Sequence, residues 1–151
     1  MKALILAAGM ASRLRPLTNE TPKCLLKIGQ RCLLQRSIDA LLAGGINEFV
    51  IVTGFMHEKI ESFISATYPG LNVTFIHNEI FDSTNNIYSL WLARPEAEGK
   101  SVLLLDSDLL YDPEIIKRIV ADKADNALTL IKHPLGEEEI KVIIDNRGDI
   151  V

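Results

Sequence analysis

The chain opens on an apolar run that closes in small residues, Leu4-Ile5-Leu6-Ala7-Ala8-Gly9, and cations follow at Arg13, Arg15 and, behind Pro22, Lys23. This order constrains the fold more than any other feature. The span 2–7 fits a strand buried on both faces, as in a parallel sheet covered by helices. Residues 8–29 have no clear hydrophobic period and contain Gly9, Pro16, Pro22 and Gly29. A connection that long inside a compact domain is usually functional or disordered, and its arginines and lysines favour function.

Downstream, strand and helix patterns alternate. Leu33, Leu34, Ile38, Leu41 and Leu42 recur at helical spacing, and Gly44-Gly45 stops that helix. Glu48 to Thr53 reads as a second strand closed by Gly54, and Met56 to Ala66 as a helix with Ile60, Phe63 and Ile64 inward. Asn72 to Ile76 reads as a third strand, and Asn85 to Arg94 as a helix with Ile87, Leu90 and Trp91 as its apolar stripe. Ser101 to Leu105 is a fourth strand that ends at Asp106, and Asp112-Pro113 opens another helix, with Asp112 as its cap. Asn126 to Lys132 and Glu139 to Ile144 suggest two further strands. The alternation implies an α/β fold with a parallel-rich sheet. Residues 145–151 look like a turn entering another strand. The expected organisation is therefore one domain over 1–151, the amino-terminal portion of a longer one.

Ligands of open α/β sheets bind outside the carboxyl ends of the strands, where the loop 7–15 sits. Ala7, Ala8 and Gly9 carry little side chain, so their backbone N–H groups can approach an anion closely. Arg13 adds a planar fork matched to phosphate oxygens, and Lys23 a compact charge on a long stem. Neither G-x-G-x-x-G nor G-x-x-x-x-G-K-[ST] is present, which argues against a dinucleotide Rossmann enzyme and a P-loop ATPase. The net charge of −4 disfavours nucleic acid or an acidic membrane as partner, so phosphate binding rests on local cations and backbone donors. No run approaches a membrane span of roughly 20 apolar residues, and the apolar amino terminus is too short for a signal peptide. Cys24 and Cys32 lack metal-ligand spacing and read as reduced thiols of a cytoplasmic protein. Lys23, beside Cys24, is expected to lower that thiol's pKa.

Leu6-Ala7-Ala8-Gly9-Met10-Ala11-Ser12-Arg13-Leu14, with Pro16-Leu17-Thr18 and Pro22-Lys23-Cys24-Leu25-Leu26, resembles the signature of the sugar-phosphate nucleotidylyltransferase superfamily, close to LAAGxGxRLxPLTxxxPKxLL. The resemblance implies a Rossmann-like (GT-A-like) three-layer sandwich with a mainly parallel mixed sheet. It implies that residues 6–13 bind a nucleoside triphosphate, with backbone at Ala7, Ala8 and Gly9 on the base and ribose side. Arg13 would then hold the β- and γ-phosphates, and Lys23 the charge on the α-phosphate. One position departs from the pattern: Ala11 stands where the family has its second glycine, and a methyl group there is tolerable only at negative φ.

Leu103-Leu104-Leu105-Asp106-Ser107-Asp108 sets two carboxylates at a strand end, and a hard cation such as Mg²⁺ would relieve their repulsion. The resemblance implies a metal-binding aspartate here, Asp108, with Asp106 in support. A further metal carboxylate has no convincing match before Val151. Asn85-Asn86-Ile87-Tyr88-Ser89-Leu90 resembles the bacterial CTP:phosphocholine cytidylyltransferases, where sugar-1-phosphate members carry a Gly-Thr-Ala-like turn. Asn78, Asn85 and Asn86 are thus expected in the base or acceptor pocket, since amides match a pyrimidine edge. Tyr88 is the candidate for the acceptor, with Phe81 and Tyr111 as further aromatic faces for a quaternary ammonium, while Trp91 reads as core. His57, His77 and His133 show no triad or ligand spacing.

The expected reaction is Mg²⁺-dependent transfer of CMP from CTP to a small phosphorylated acceptor such as phosphocholine. The alternatives are a sugar-1-phosphate nucleotidylyltransferase using another triphosphate, and a non-catalytic nucleotide-binding module. The sequence is silent on oligomeric state.

Overall fold

The computed structural model describes residues 1–131, 142–148 and 150. Strand β1 spans Lys2–Ala7. After two 3₁₀ turns at Ser12–Leu14 and Lys23–Leu25, a short antiparallel hairpin pairs β2 (Lys27–Ile28) with β3 (Arg31–Cys32). Then come α1 (Leu33–Ala43), β4 (Glu48–Thr53), α2 (His57–Thr67) and β5 (Asn72–His77). The unit finishes with α3 (Asn86–Leu92), α4 (Arg94–Ala97), β6 (Val102–Asp106) and α5 (Glu114–Ala121).

The main sheet has the order β5-β4-β1-β6, and all of its pairs are parallel. Alternation along each strand divides the core. Ala3, Ile5, Ala7, Phe49 and Ile51 pack with Leu34, Ile38 and Leu41 of α1, Ile60 and Ile64 of α2 and Ile116 of α5. Leu4, Leu6, Val50 and Val52 pack on the other face with Leu90, Ala93 and Ala97. The result is three layers, because strands covered on both faces need apolar residues at both parities. Each fully buried aliphatic side chain contributes ~1.5–3 kcal/mol relative to exposure. Gly54 is needed for close approach: a Cβ there would lie 2.6 Å from the Phe81 Cβ and 2.8 Å from the Ala8 carbonyl oxygen.

The chain leaves β1, builds β4 and β5 to one side, and returns to place β6 on the other. The crevice of such a sheet opens where the winding reverses, beyond the carboxyl ends of β1 and β6.

Several expectations change. The helix expected over 85–94 breaks at Ala93, where α4 begins with Pro95 in its first turn. Trp91 and Ile87 are 60% and 76% exposed, so they are not core: the sheet is covered by Leu90 and Ala93 instead. Residues 126–131 form no strand and lie exposed. An apolar pattern without a neighbouring strand has no ladder to join. Residues 122–151 form a second compact unit, in which Ile144 and Ile150 make an isolated antiparallel bridge. Lys132, Glu139 and His133 lie outside the described residues.

Candidate active site

A cleft of about 220 Å³ lies at the reversal point. Its walls come from Leu6, Ala7, Gly9 and Ala11 on one side, Pro22, Lys23 and Cys24 on a second, and Asn86 with Asp106, Ser107 and Asp108 on a third. The register explains the meeting. Leu6 stands opposite Asp106 across the β1–β6 ladder, and the Ser107 N–H donates to the Leu6 carbonyl at 3.1 Å. The two aspartates therefore flank the loop that leaves β1.

Lys23 and Asp108, 85 residues apart, form an ion pair through Nζ and Oδ2. Both side chains keep about a third of their surface exposed, at 36% and 33%. An ion pair that wet contributes ~0–1 kcal/mol, so an entering phosphate can displace it at little cost. Asp106 reaches solvent, yet the protein crowded around it and, secondarily, the Asp108 charge raise its pKa, while Lys23 opposes the rise. The Asn86 amide donates to Asp106 Oδ1 at 3.2 Å and orients it.

The loop itself is held from outside the cleft. The Ala8 carbonyl accepts from the Phe55 N–H at 3.0 Å. A Cβ at Gly9 would meet no protein atom within 4 Å, so open space lies over that backbone. Ala11 has φ 47° and ψ 46°, which overturns the expected negative φ. Its carbonyl accepts from the Leu14 N–H at 3.0 Å and from the hydroxyl of buried Thr18 at 3.0 Å. These two bonds hold the left-handed turn in spite of the methyl group.

Of the residues singled out from sequence, Leu6, Ala7, Gly9, Ala11, Lys23, Asn86, Asp106 and Asp108 share the cleft. Ala8 is buried behind it. Met10, Ser12 and Arg13 do not line it, and Arg13 lies exposed on the 3₁₀ turn that follows Ala11. Asn78 is 1% exposed, with its amide donating to Thr84 at 3.0 Å and Ser89 at 3.1 Å and its carbonyl oxygen accepting from the Ile80 N–H. It organises the turn before α3 and does not line the cleft. Asn85 caps α3 by accepting from the N–H groups of Ile87 and Tyr88. Tyr88 stacks on Trp91 with ring centroids 5.6 Å apart and lines a separate open depression with Asp82, Thr84 and Asn85. Adjacent Asn85 and Asn86 thus border the two hollows.

Sequence reasoning missed Pro22, Ser107 and Cys24 as walls of the cleft, although each lies inside a motif already marked. The expected lowering of the Cys24 pKa is reversed: burial pushes the thiol up to about 12. His57 and His77 are neighbours, with ring centroids 4.2 Å apart, and the His57 Nδ1 lies 3.2 Å from Glu61. No spacing rule could show this, because the contact joins the ends of two adjacent elements.

The profile of the MobA-like NTP transferase domain matches residues 3–144. The chain belongs to that family. A choline-phosphate cytidylyltransferase of Haemophilus influenzae is 40% identical over 151 residues, which is all of this chain and 61% of that protein. One from Streptococcus pneumoniae is 37% identical over 109 residues, 72% of this chain and 46% of that protein. A solved structure of the CTP:phosphocholine cytidylyltransferase of Streptococcus pneumoniae superposes with a TM-score of 0.64 at 36% identity, covering 71% of this chain and 44% of that one. The chain thus spans about half the length of the relatives it matches. The sheet is mostly parallel with helices on both faces, as the sequence implied. No helix among the described residues is long and apolar enough to cross a membrane.

Proposed function

We propose that this protein transfers CMP from CTP to a small phosphorylated acceptor such as phosphocholine and releases pyrophosphate. The observation that carries the reading is the Lys23–Asp108 pair facing the backbone of Ala7, Gly9 and Ala11 across one cleft. The identities to two choline-phosphate cytidylyltransferases support CTP and phosphocholine over other pairs.

The chemistry asks little of the protein beyond position and charge. The second pKa of a phosphomonoester is about 6, so the acceptor oxygen is anionic near neutrality and attacks the α-phosphorus without a general base. Lys23 turns from Asp108 to the α-phosphate and stabilises the charge that builds there. Open backbone at Gly9 admits the nucleotide, and exposed Arg13 takes the departing phosphates. Asn86 borders the nucleotide cleft, and its neighbour Asn85 borders the depression holding Asp82 and Tyr88, which offer a carboxylate and an aromatic face to a quaternary ammonium.

Mg²⁺ fits the donor set. Asp106 and Asp108 supply two carboxylates, and Mg²⁺ ordinarily takes one or two together with substrate phosphates and waters. Bound there, the ion would neutralise phosphate charge. The two buried free thiols accord with a cytoplasmic setting.

Pyrophosphate release measured with CTP, UTP, GTP and ATP, each against phosphocholine and a hexose 1-phosphate, tests the reading. Fastest release from CTP with phosphocholine is expected. A faster sugar-phosphate reaction would move the protein to the uridylyl- or guanylyltransferase side of the superfamily. CTP binding with no release for any acceptor would make it a binding module.

A further inference from the structure

Asn86 is the first residue of α3, and it stands in the wall of the nucleotide cleft beside Asp106, Ser107 and Asp108. The start of α3 is held in place by its neighbours. Asn85 accepts from the N–H groups of Ile87 and Tyr88, and Asn78 donates to the Ser89 hydroxyl at 3.1 Å. From that fixed position Asn86 donates Nδ2 to Asp106 Oδ1 at 3.2 Å, across 20 positions of chain.

That bond decides which way the Asn86 amide faces. An asparagine amide has a donor end and an acceptor end of nearly the same shape, and its orientation follows from its partners. An ionised carboxylate only accepts. Turned over, Asn86 would set its carbonyl oxygen against a carboxylate oxygen, two acceptors with no proton between them. Asp106 therefore keeps the NH₂ group, and the Asn86 carbonyl oxygen is left without a donor among the described residues. Asn86 is exposed where it lines the cleft, so this oxygen is open to what binds there.

The geometry points to Asn86 as a specificity-determining residue: locked by Asp106, it offers a carbonyl oxygen that accepts a hydrogen bond from a donor on the nucleoside. Cytidine carries two groups of that chemistry, the exocyclic amine of cytosine and the ribose hydroxyls. Uracil has a carbonyl where cytosine has its amine, so acceptor would face acceptor. The inference rests on the reading of this cleft as a CTP site and adds the group that selects the nucleoside.

Calorimetric titration without divalent ion or acceptor tests it, so that neither metal at Asp106 nor turnover enters. Wild type, Asn86→Ala and Asp106→Asn are each titrated with CTP, UTP, 2′-deoxy-CTP and 3′-deoxy-CTP. Wild type should prefer CTP by about fivefold to tenfold over UTP or over a deoxy nucleotide, the loss expected for one hydrogen bond. Rejection of UTP names the amine as the donor, and rejection of a deoxy nucleotide names the ribose hydroxyl. The preference should vanish in Asn86→Ala. In Asp106→Asn the new amide can meet either end of Asn86, so the preference should narrow. All four triphosphates should then bind more tightly, with one carboxylate fewer beside their phosphates. A merely structural Asn86 would weaken all four together and leave the preference intact. Three results would overturn the proposal: no preference in wild type, a preference that survives Asn86→Ala, or one undiminished in Asp106→Asn. Pyrophosphate release from CTP with phosphocholine is measured on the same wild-type protein. Release with an overturned preference leaves the transfer reading standing, whereas a preference without release refutes transfer and leaves Asn86 its role.

Discussion

Substituting glycine for Ala11 should stabilise the fold without moving the cleft backbone. Ala11 sits at φ 47° and ψ 46°, where its Cβ crowds the following carbonyl. For an L-residue that conformation costs about 1–2 kcal/mol. Glycine removes the crowding but loosens the unfolded chain, which offsets about 0.4–1 kcal/mol. Taking the middle of each range, the difference leaves a gain of about 0.8 kcal/mol. The turn should keep its shape, because the bonds from Leu14 N–H and the Thr18 hydroxyl act on the Ala11 carbonyl, which glycine retains. Urea unfolding reads the effect: with m near 1–3 kcal/mol/M, the midpoint should rise by about 0.2–1 M at unchanged m. Ala11→Val is the control and should lose stability, since a β-branched side chain is worse in that region. A lower midpoint for Ala11→Gly would refute the strain argument.

Lys23→Ala should reduce turnover by about 10²–10³-fold, the usual loss for one group aimed at transition-state charge, with a much smaller change in CTP affinity. A near-normal rate would remove Lys23 from the mechanism. Gly54→Ala should destabilise by about 1–3 kcal/mol through overpacking against Phe81 and the Ala8 carbonyl, and thermal unfolding of equal midpoint would show that the contact yields freely. Cys24, with its pKa raised to about 12 by burial, should not react with Ellman's reagent at pH 8 until the protein unfolds. The sign for stability follows: the unfolded thiol ionises near 9 and the folded one near 12, so this contribution is intact below pH 9 and is lost between 9 and 12. Unfolding free energy that stays flat across that window would contradict it.

Much of the frame was legible before any coordinates. The strands at 48–53 and 72–76, the helix that Gly44-Gly45 stops, and the cap at Asp112 all rest on local pattern, and each appears within a residue or two. The motif at 6–26 marked Lys23 and the glycine loop, and the doublet at 106–108 marked the acidic corner. Local pattern misled where burial was decided by partners far along the chain. Trp91 shares the helical spacing of Ile87 and Leu90 but faces solvent beside Tyr88. Asn78 carries the amide a base would want, yet it is 1% exposed and bonded to Thr84, Ser89 and Ile80.

The sequence by itself determined which segments become strands buried on both faces and which side chains could handle phosphate, because hydrophobic period and residue chemistry are properties of short stretches. Only the tertiary structure decided that Lys23 meets Asp108 while Arg13 does not line the cleft, and that Ala11 turns left-handed. The first of these outcomes depends on the register of β1 against β6. Register and packing are settled by contacts across tens of residues, which no local pattern encodes.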